Sequence, residues 1–158
     1  GKVLLDRERA LSATLGVRLS RQVAYVREQA GRTQDGARTL LDNPVFRHKL
    51  AQLEIEAMAL DAMGLRALAD NVAGIDSGPR GSMLKIRWSE LLQRATQLWI
   101  ESLGYAAAGF RAPDGSDPQG GIDAYGPMSA YLHSRVTTIY GGSNEIQRNI
   151  IARRALDL

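Results

Sequence analysis

Apolar and polar positions alternate along this chain with a helical period nearly from end to end. Over residues 3–30, Leu4, Leu11, Leu15, Leu19, Val23 and Val26 follow an i, i+3, i+4 rhythm and make one apolar stripe. Gly31 and then Gly36 are expected to break it. The next start signal is Asn43 as N-cap followed by Pro44 at the first helical position, where a missing N–H costs nothing. From there Leu50, Leu53, Ala57, Leu60 and Leu68 repeat at near-heptad spacing, and Ile55, Met58 and Met63 are expected to widen the apolar face. "GIDSGPRG", residues 74–81, ends that helix. Ser82 is expected to cap a third, along which Leu84, Trp88, Leu91, Ala95 and Leu98 line up through about Leu103.

The stretch 104–126 is too long and too rich in Gly, Pro and Asp for an ordinary connection, which marks it as functional or disordered. A shorter helix is expected over about 127–139, and a glycine hinge leads into a final one over about 143–156. No strand pattern, internal repeat or low-complexity tract is visible. The pattern predicts an all-α fold, an up-down helical bundle of four main helices plus a short C-terminal helix. Trp88, Trp99 and the methionines are expected in its core.

Composition narrows the function classes. A chain of 158 residues makes one domain and buries a core without staples. It contains no cysteine, so disulfides and thiolate metal sites are excluded and a reducing compartment, the cytoplasm, is expected. His48 and His133 lack metal-ligand spacing, so no metal is expected. The net charge of +3 comes from arginines interspersed with acids, as in "DRERA", which describes a solvated helical surface rather than a nucleic-acid footprint. No apolar run approaches the roughly 20 residues that cross a bilayer, and the charged N-terminus has no signal-peptide pattern.

The candidate chemistry lies at the end, in "IYGGSNEIQRNIIARRALDL", residues 139–158. Two glycines free the backbone at the mouth of a helix whose bare amides suit an anion. Ser143 and Glu145 also make a plain N-cap and a first-turn acid, and capping and ligand binding use the same atoms. Residues 139–156 resemble the carboxyl end of the acyl-CoA dehydrogenases, flavoenzymes that desaturate acyl-CoA thioesters. "LLDRERALSATLGVRLSRQVAYVREQAG", residues 4–31, and "FRHKLAQLEIEA", residues 46–57, are similar to the first two helices of that family's C-terminal bundle. The resemblance covers essentially the whole chain, residues 1–158, as that one domain. It implies that the family's N-terminal helical and middle β domains are absent here.

What the resemblance implies is a reaction in which a carboxylate takes a proton next to the thioester carbonyl and a hydride passes to flavin adenine dinucleotide (FAD). Many members carry the base directly after the tyrosine of the final motif, where this chain has Gly141. Branches that place it on the first bundle helix offer Glu8 instead, with Asp6, Arg7 and Arg9 lining the acyl-CoA channel. An acid in the first turns of a helix also favours the macrodipole, so position alone leaves both readings of Glu8 open. By resemblance Gly141 and Gly142 border the substrate, and Ser143, Asn144 and Glu145 border the flavin.

Further flavin contacts are implied at Arg27 in "REQAG" and at Glu101 and Gly104 in "ESLGY". Glu101 stands where the family has an amide, and an acid there repels a pyrophosphate unless a cation intervenes. In these enzymes such contacts reach the flavin of a neighbouring subunit. The implied partners are an acyl-CoA substrate, an electron-transfer acceptor protein and further subunits, the same or different, in a dimer or tetramer. The alternative is a catalytically silent subunit with an assembly role.

Overall fold

A computed structural model describes residues 14–76, 78–108 and 126–156 of the chain. Among them five α-helices make up the fold: α1 (Leu15–Arg32), α2 (Pro44–Val72), α3 (Arg80–Leu103), α4 (Pro127–Ser134) and α5 (Asn144–Ala155). The expected all-α bundle is what the chain forms. The part of the first helix expected over residues 3–13, and residues 109–125, lie outside the described set.

The apolar stripe read along the first helix faces inward: Leu19, Val23 and Val26 are buried in α1. They meet Phe46, Leu50, Leu53, Ala57 and Leu60 of α2 and Leu84, Leu91, Ala95, Leu98 and Trp99 of α3 in one cluster. Fully burying each such leucine contributes roughly 1.5–3 kcal/mol, so this three-helix seam carries most of the stability. Gly16 permits its closest approach, because a Cβ there would lie 2.5 Å from the Asp61 Cα. Tyr25 of α1 meets Trp99 edge-on, with ring centroids 5.1 Å apart.

Where the chain turns, side chains close the ends. Asn43 Oδ1 accepts the backbone N–H groups of Val45 and Phe46, so the expected N-cap of α2 is present. An Asp70–Arg80 ion pair links the end of α2 to the start of α3. Contacts to Ser134 dock α4 on α3: Thr96 Oγ1 donates to Ser134 Oγ at 3.1 Å, and Gln93 Nε2 donates to the Ser134 carbonyl at 3.2 Å.

Five local expectations are corrected. Gly31 does not break α1, which runs on to Arg32; the bare glycine lets Leu41 pack against the last turn, 3.3 Å from where a Cβ would sit. A two-stranded antiparallel ladder, β1 (Gln34–Asp35) with β2 (Arg38–Thr39), occupies the turn around Gly36. Four residues are too few for strand periodicity to register in sequence. Third, α3 starts at Arg80 with Pro79 at the cap position, not at Ser82. Fourth, Ile55 and Met58 are 67% and 70% exposed, because they lie on the outer face of α2, opposite Leu53, Ala57 and Leu60. Fifth, Met58 is therefore outside the core, whereas Trp99 is inside it and Trp88 and Met63 pack on its edge. Among the described residues no helix is long and apolar enough to cross a membrane, and no group of three His, Asp or Glu could hold a metal ion.

Candidate active site at the C-terminal glycine turn

After α4 the chain passes through a short 3₁₀ turn, Arg135–Thr138, and reaches Gly141 and Gly142. Both adopt positive φ, 66° and 84°, a conformation that a side chain would strain. Nothing lies within 4 Å of where a Gly141 Cβ would sit. Gln147 folds back over the turn and donates from Nε2 to the Gly141 carbonyl at 3.0 Å. A Cβ on Gly142 would meet that Nε2 at 2.7 Å. The turn thus offers bare backbone on its open side.

Ser143 caps α5, its Oγ accepting the Ile146 N–H. Glu145 is exposed; a hydrogen bond to its own backbone N–H, then one from the Ser143 side chain, holds its carboxyl below the usual glutamate range. Asn144 behaves differently from its two neighbours. It is 4% exposed and turns its side chain away from the mouth, into α3. Lys85 Nζ donates to Asn144 Oδ1 at 2.7 Å, and Asn144 Nδ2 donates to Ser89 Oγ at 3.1 Å. Ser89 passes its own proton to the Ile86 carbonyl at 2.9 Å. Burial lowers the Lys85 pKa below the ordinary lysine value, and the nearby Glu145 charge partly opposes this.

The other expected cofactor residues lie elsewhere. Arg27 makes a two-pronged pair with Glu54, both bonds at 2.6 Å. Glu101 accepts from Lys49 Nζ at 2.8 Å, on the rim of a groove between α2 and α3 that Arg94 and Gln97 also line. Lys49 thus balances the Glu101 charge. Gly104 ends α3 at φ 52°. Glu101 follows Ser89 by twelve residues of α3, a rise of about 18 Å. The structure brings Gly141, Gly142, Ser143, Asn144 and Glu145 together and keeps Arg27, Glu101 and Gly104 apart from them. Asp6, Arg7, Glu8 and Arg9 lie outside the described residues.

Lys85, Ser89, Gln147 and Lys49 were not singled out by sequence reasoning. A signal for two of them was present: a lysine between Leu84 and Ile86, and a serine one residue past the core-edge Trp88.

Residues 2–156 match the family model described as acyl-CoA dehydrogenase, C-terminal domain. The chain belongs to that family. Acyl-CoA dehydrogenase IpdE1 of Mycolicibacterium smegmatis is 34% identical over 142 residues, 89% of this chain and 32% of its own length. The chain thus spans about a third of that relative. Among solved structures, a ChsE4-ChsE5 complex from Mycobacterium tuberculosis superposes with a TM-score of 0.67 at 29% identity, covering 92% of this chain and 36% of that one. An acyl-CoA dehydrogenase from Geobacillus kaustophilus gives 0.76 at 18% identity, over 98% of this chain and 38% of its own; that likeness speaks to the fold alone. For an acyl-CoA dehydrogenase domain, the glycine turn and the α5 mouth are the natural candidate for the active site.

Proposed function

We propose that this domain completes a flavin-dependent acyl-CoA dehydrogenase that desaturates an acyl-CoA thioester between its α and β carbons. The observation that carries the reading is the Gly141–Gly142 turn, whose positive φ angles and open side leave backbone free to meet a flat ligand. FAD fits the mouth of α5, where Gly142, Ser143 and Glu145 would border it; bound flavin supplies the acceptor for the substrate hydride. Asn144 does not fit as a side-chain contact, because its amide is committed to Lys85 and Ser89. Arg27 and Glu101 are compatible with the flavin of a neighbouring subunit, given the distance of Glu101 along α3 from the turn and the Lys49 cation paired with it.

In this reading the chain's own residues do three things. Glu8 takes the proton from the carbon next to the thioester carbonyl, a site dry enough to raise its pKa making it a stronger base. The backbone N–H at Gly141 donates to the thioester oxygen as negative charge develops there. Gly141, lacking a side chain, leaves space for a base or an acyl chain arriving from the first helix, while Asp6, Arg7 and Arg9 line the channel.

Subunit association is part of the proposal. Ile55, Met58, Leu65 and Val72 form an exposed apolar stripe along the outer face of α2, and a helix apolar on both faces is a helix made to be covered. We place this domain beside N-terminal helical and β domains, in a dimer or tetramer that passes electrons to an acceptor protein. The second reading, a silent subunit beside a competent partner, is favoured by the missing carboxylate at Gly141. The full-length protein carrying this domain tests the choice: it is expected to purify yellow and to reduce an artificial acceptor when given acyl-CoA. Bound flavin without acyl-CoA-dependent reduction would select the silent subunit.

A further inference from the structure

Asn144 is the buried residue of α5, and Ile146 in its first turn is 54% exposed. Ile150 and Ile151 are half-buried, and a helix whose one fully buried residue is an asparagine has its rotation set by directional contacts. Two sets reach α3: Lys85 and Ser89 on Asn144, and Glu90 on Arg148 at 3.3 Å. Glu90 and Arg148 are both open to water, and such pairs contribute little. The anchor is the buried amide.

Lys85 stands there against the local electrostatics. A cation beside a helix N-terminus faces the positive end of the macrodipole, and this ammonium is also drawn partly out of water, which the nearby Glu145 charge offsets only in part. What lysine adds is a charge-assisted donor that can only give protons, so the oxygen end of the Asn144 amide must face it. Ser89 takes the nitrogen end. An amide gripped at both ends fixes the rotation and height of α5, and Gly142 is joined to Asn144 through Ser143 alone. We propose that Lys85 is a positioning residue: by clamping the Asn144 amide it sets where Gly141 and Gly142 present their backbone to the reacting thioester. The proposal rests on the reading of that turn as the substrate's border.

The test is made in the full-length protein with Lys85→Met, which keeps the length and removes the donor. Amide hydrogen exchange at Ile146 and Gln147, the first bonded donors of α5, should quicken about tenfold while the core amides of α1–α3 hold their rates. Lys85→Arg keeps a charged donor and should return exchange toward the wild-type rate. Arg32→Met removes an exposed cation from α1, paired with Glu28, and should leave the turn unchanged. With acyl-CoA, kcat should fall in Lys85→Met with little change in KM, since the bound substrate meets a misplaced turn. Unchanged exchange at Ile146 and Gln147, or a rise shared equally by α1 and α2, would overturn the clamp. Exchange decides the clamp whether or not the wild type turns over acyl-CoA, so its failure and that of the activity reading are separately visible.

Discussion

The α1–α2–α3 seam and the α5 helix hold their places by opposite means. Leucines, valines and Trp99 interlock the first three helices, and their contacts are numerous, undirected and mutually redundant. α5 rests on one buried amide, the Glu90–Arg148 surface pair and two half-buried isoleucines, Ile150 and Ile151. The difference teaches how the domain divides labour: bulk burial makes the frame, and directional bonds set the height of the turn that would meet substrate. A position fixed by two hydrogen bonds can be placed finely and disturbed easily; a position fixed by a packed core can be neither.

Substitutions should separate the two regimes. Leu60→Ala removes a side chain that is 2% exposed at the centre of the seam. It should cost about 2–5 kcal/mol and lower the melting temperature of the whole domain. Gly16→Ala should also act globally, by about 1–3 kcal/mol, since the new methyl would press on the Asp61 backbone. Denaturant melts read by circular dichroism would report both as a shifted midpoint.

Asn144→Ala should behave otherwise. It strands the Lys85 ammonium, leaves Ser89 only its Ile86 partner and should cost about 1–3 kcal/mol, with the loss concentrated in α5. The measurement is exchange by segment: fast amides in α5 with slow ones retained in α1–α3. Equal loosening of every helix would erase the contrast. Gly141→Ala should cost about 1–2 kcal/mol from backbone strain alone, because nothing stands where the methyl would go.

The smallest effect belongs to the surface clamp of Glu56 between Arg87 and Arg94. Burial by itself would raise the Glu56 carboxyl, but the hydrogen bond and charge of Arg94, then Arg87, hold it below the usual glutamate range. A depressed carboxyl pKa stabilises the fold above the unfolded value, and that part is lost as pH falls through the folded one. Glu56→Gln should therefore lower stability at neutral pH by no more than about 1 kcal/mol, leave it nearly unchanged at low pH where the carboxyl is protonated anyway, and so flatten the acid limb of the profile.

How much was legible in sequence follows the same division. The seam was readable because burial repeats with the helical period: Leu19, Val23, Leu53 and Leu91 announce themselves. Asn43 and Pro44 were readable because a cap acts on its own next two residues. Ile55 and Met58 misled, since an apolar residue carries no mark of which face it serves, and a stripe made for a partner looks like core. The part Asn144 plays was hidden for another reason. An asparagine at a helix mouth serves as cap, ligand contact or anchor with the same atoms, and the rotation of α5 against α3 decides which. Lys85 and Ser89, more than fifty residues upstream, are invisible from the motif they hold. Ser82 gave way to Pro79 as the start of α3 because Arg80 is drawn into the first turn by Asp70, a pairing across the loop.

In the reading we propose, the glycine turn works opposite a carboxylate delivered by the first helix. Stopped-flow reduction of the flavin by acyl-CoA, without oxygen, in full-length wild type and Glu8→Gln tests it most directly. Loss of the base should slow reduction by about 10²–10⁴-fold while flavin stays bound. Reduction at the wild-type rate would contradict it.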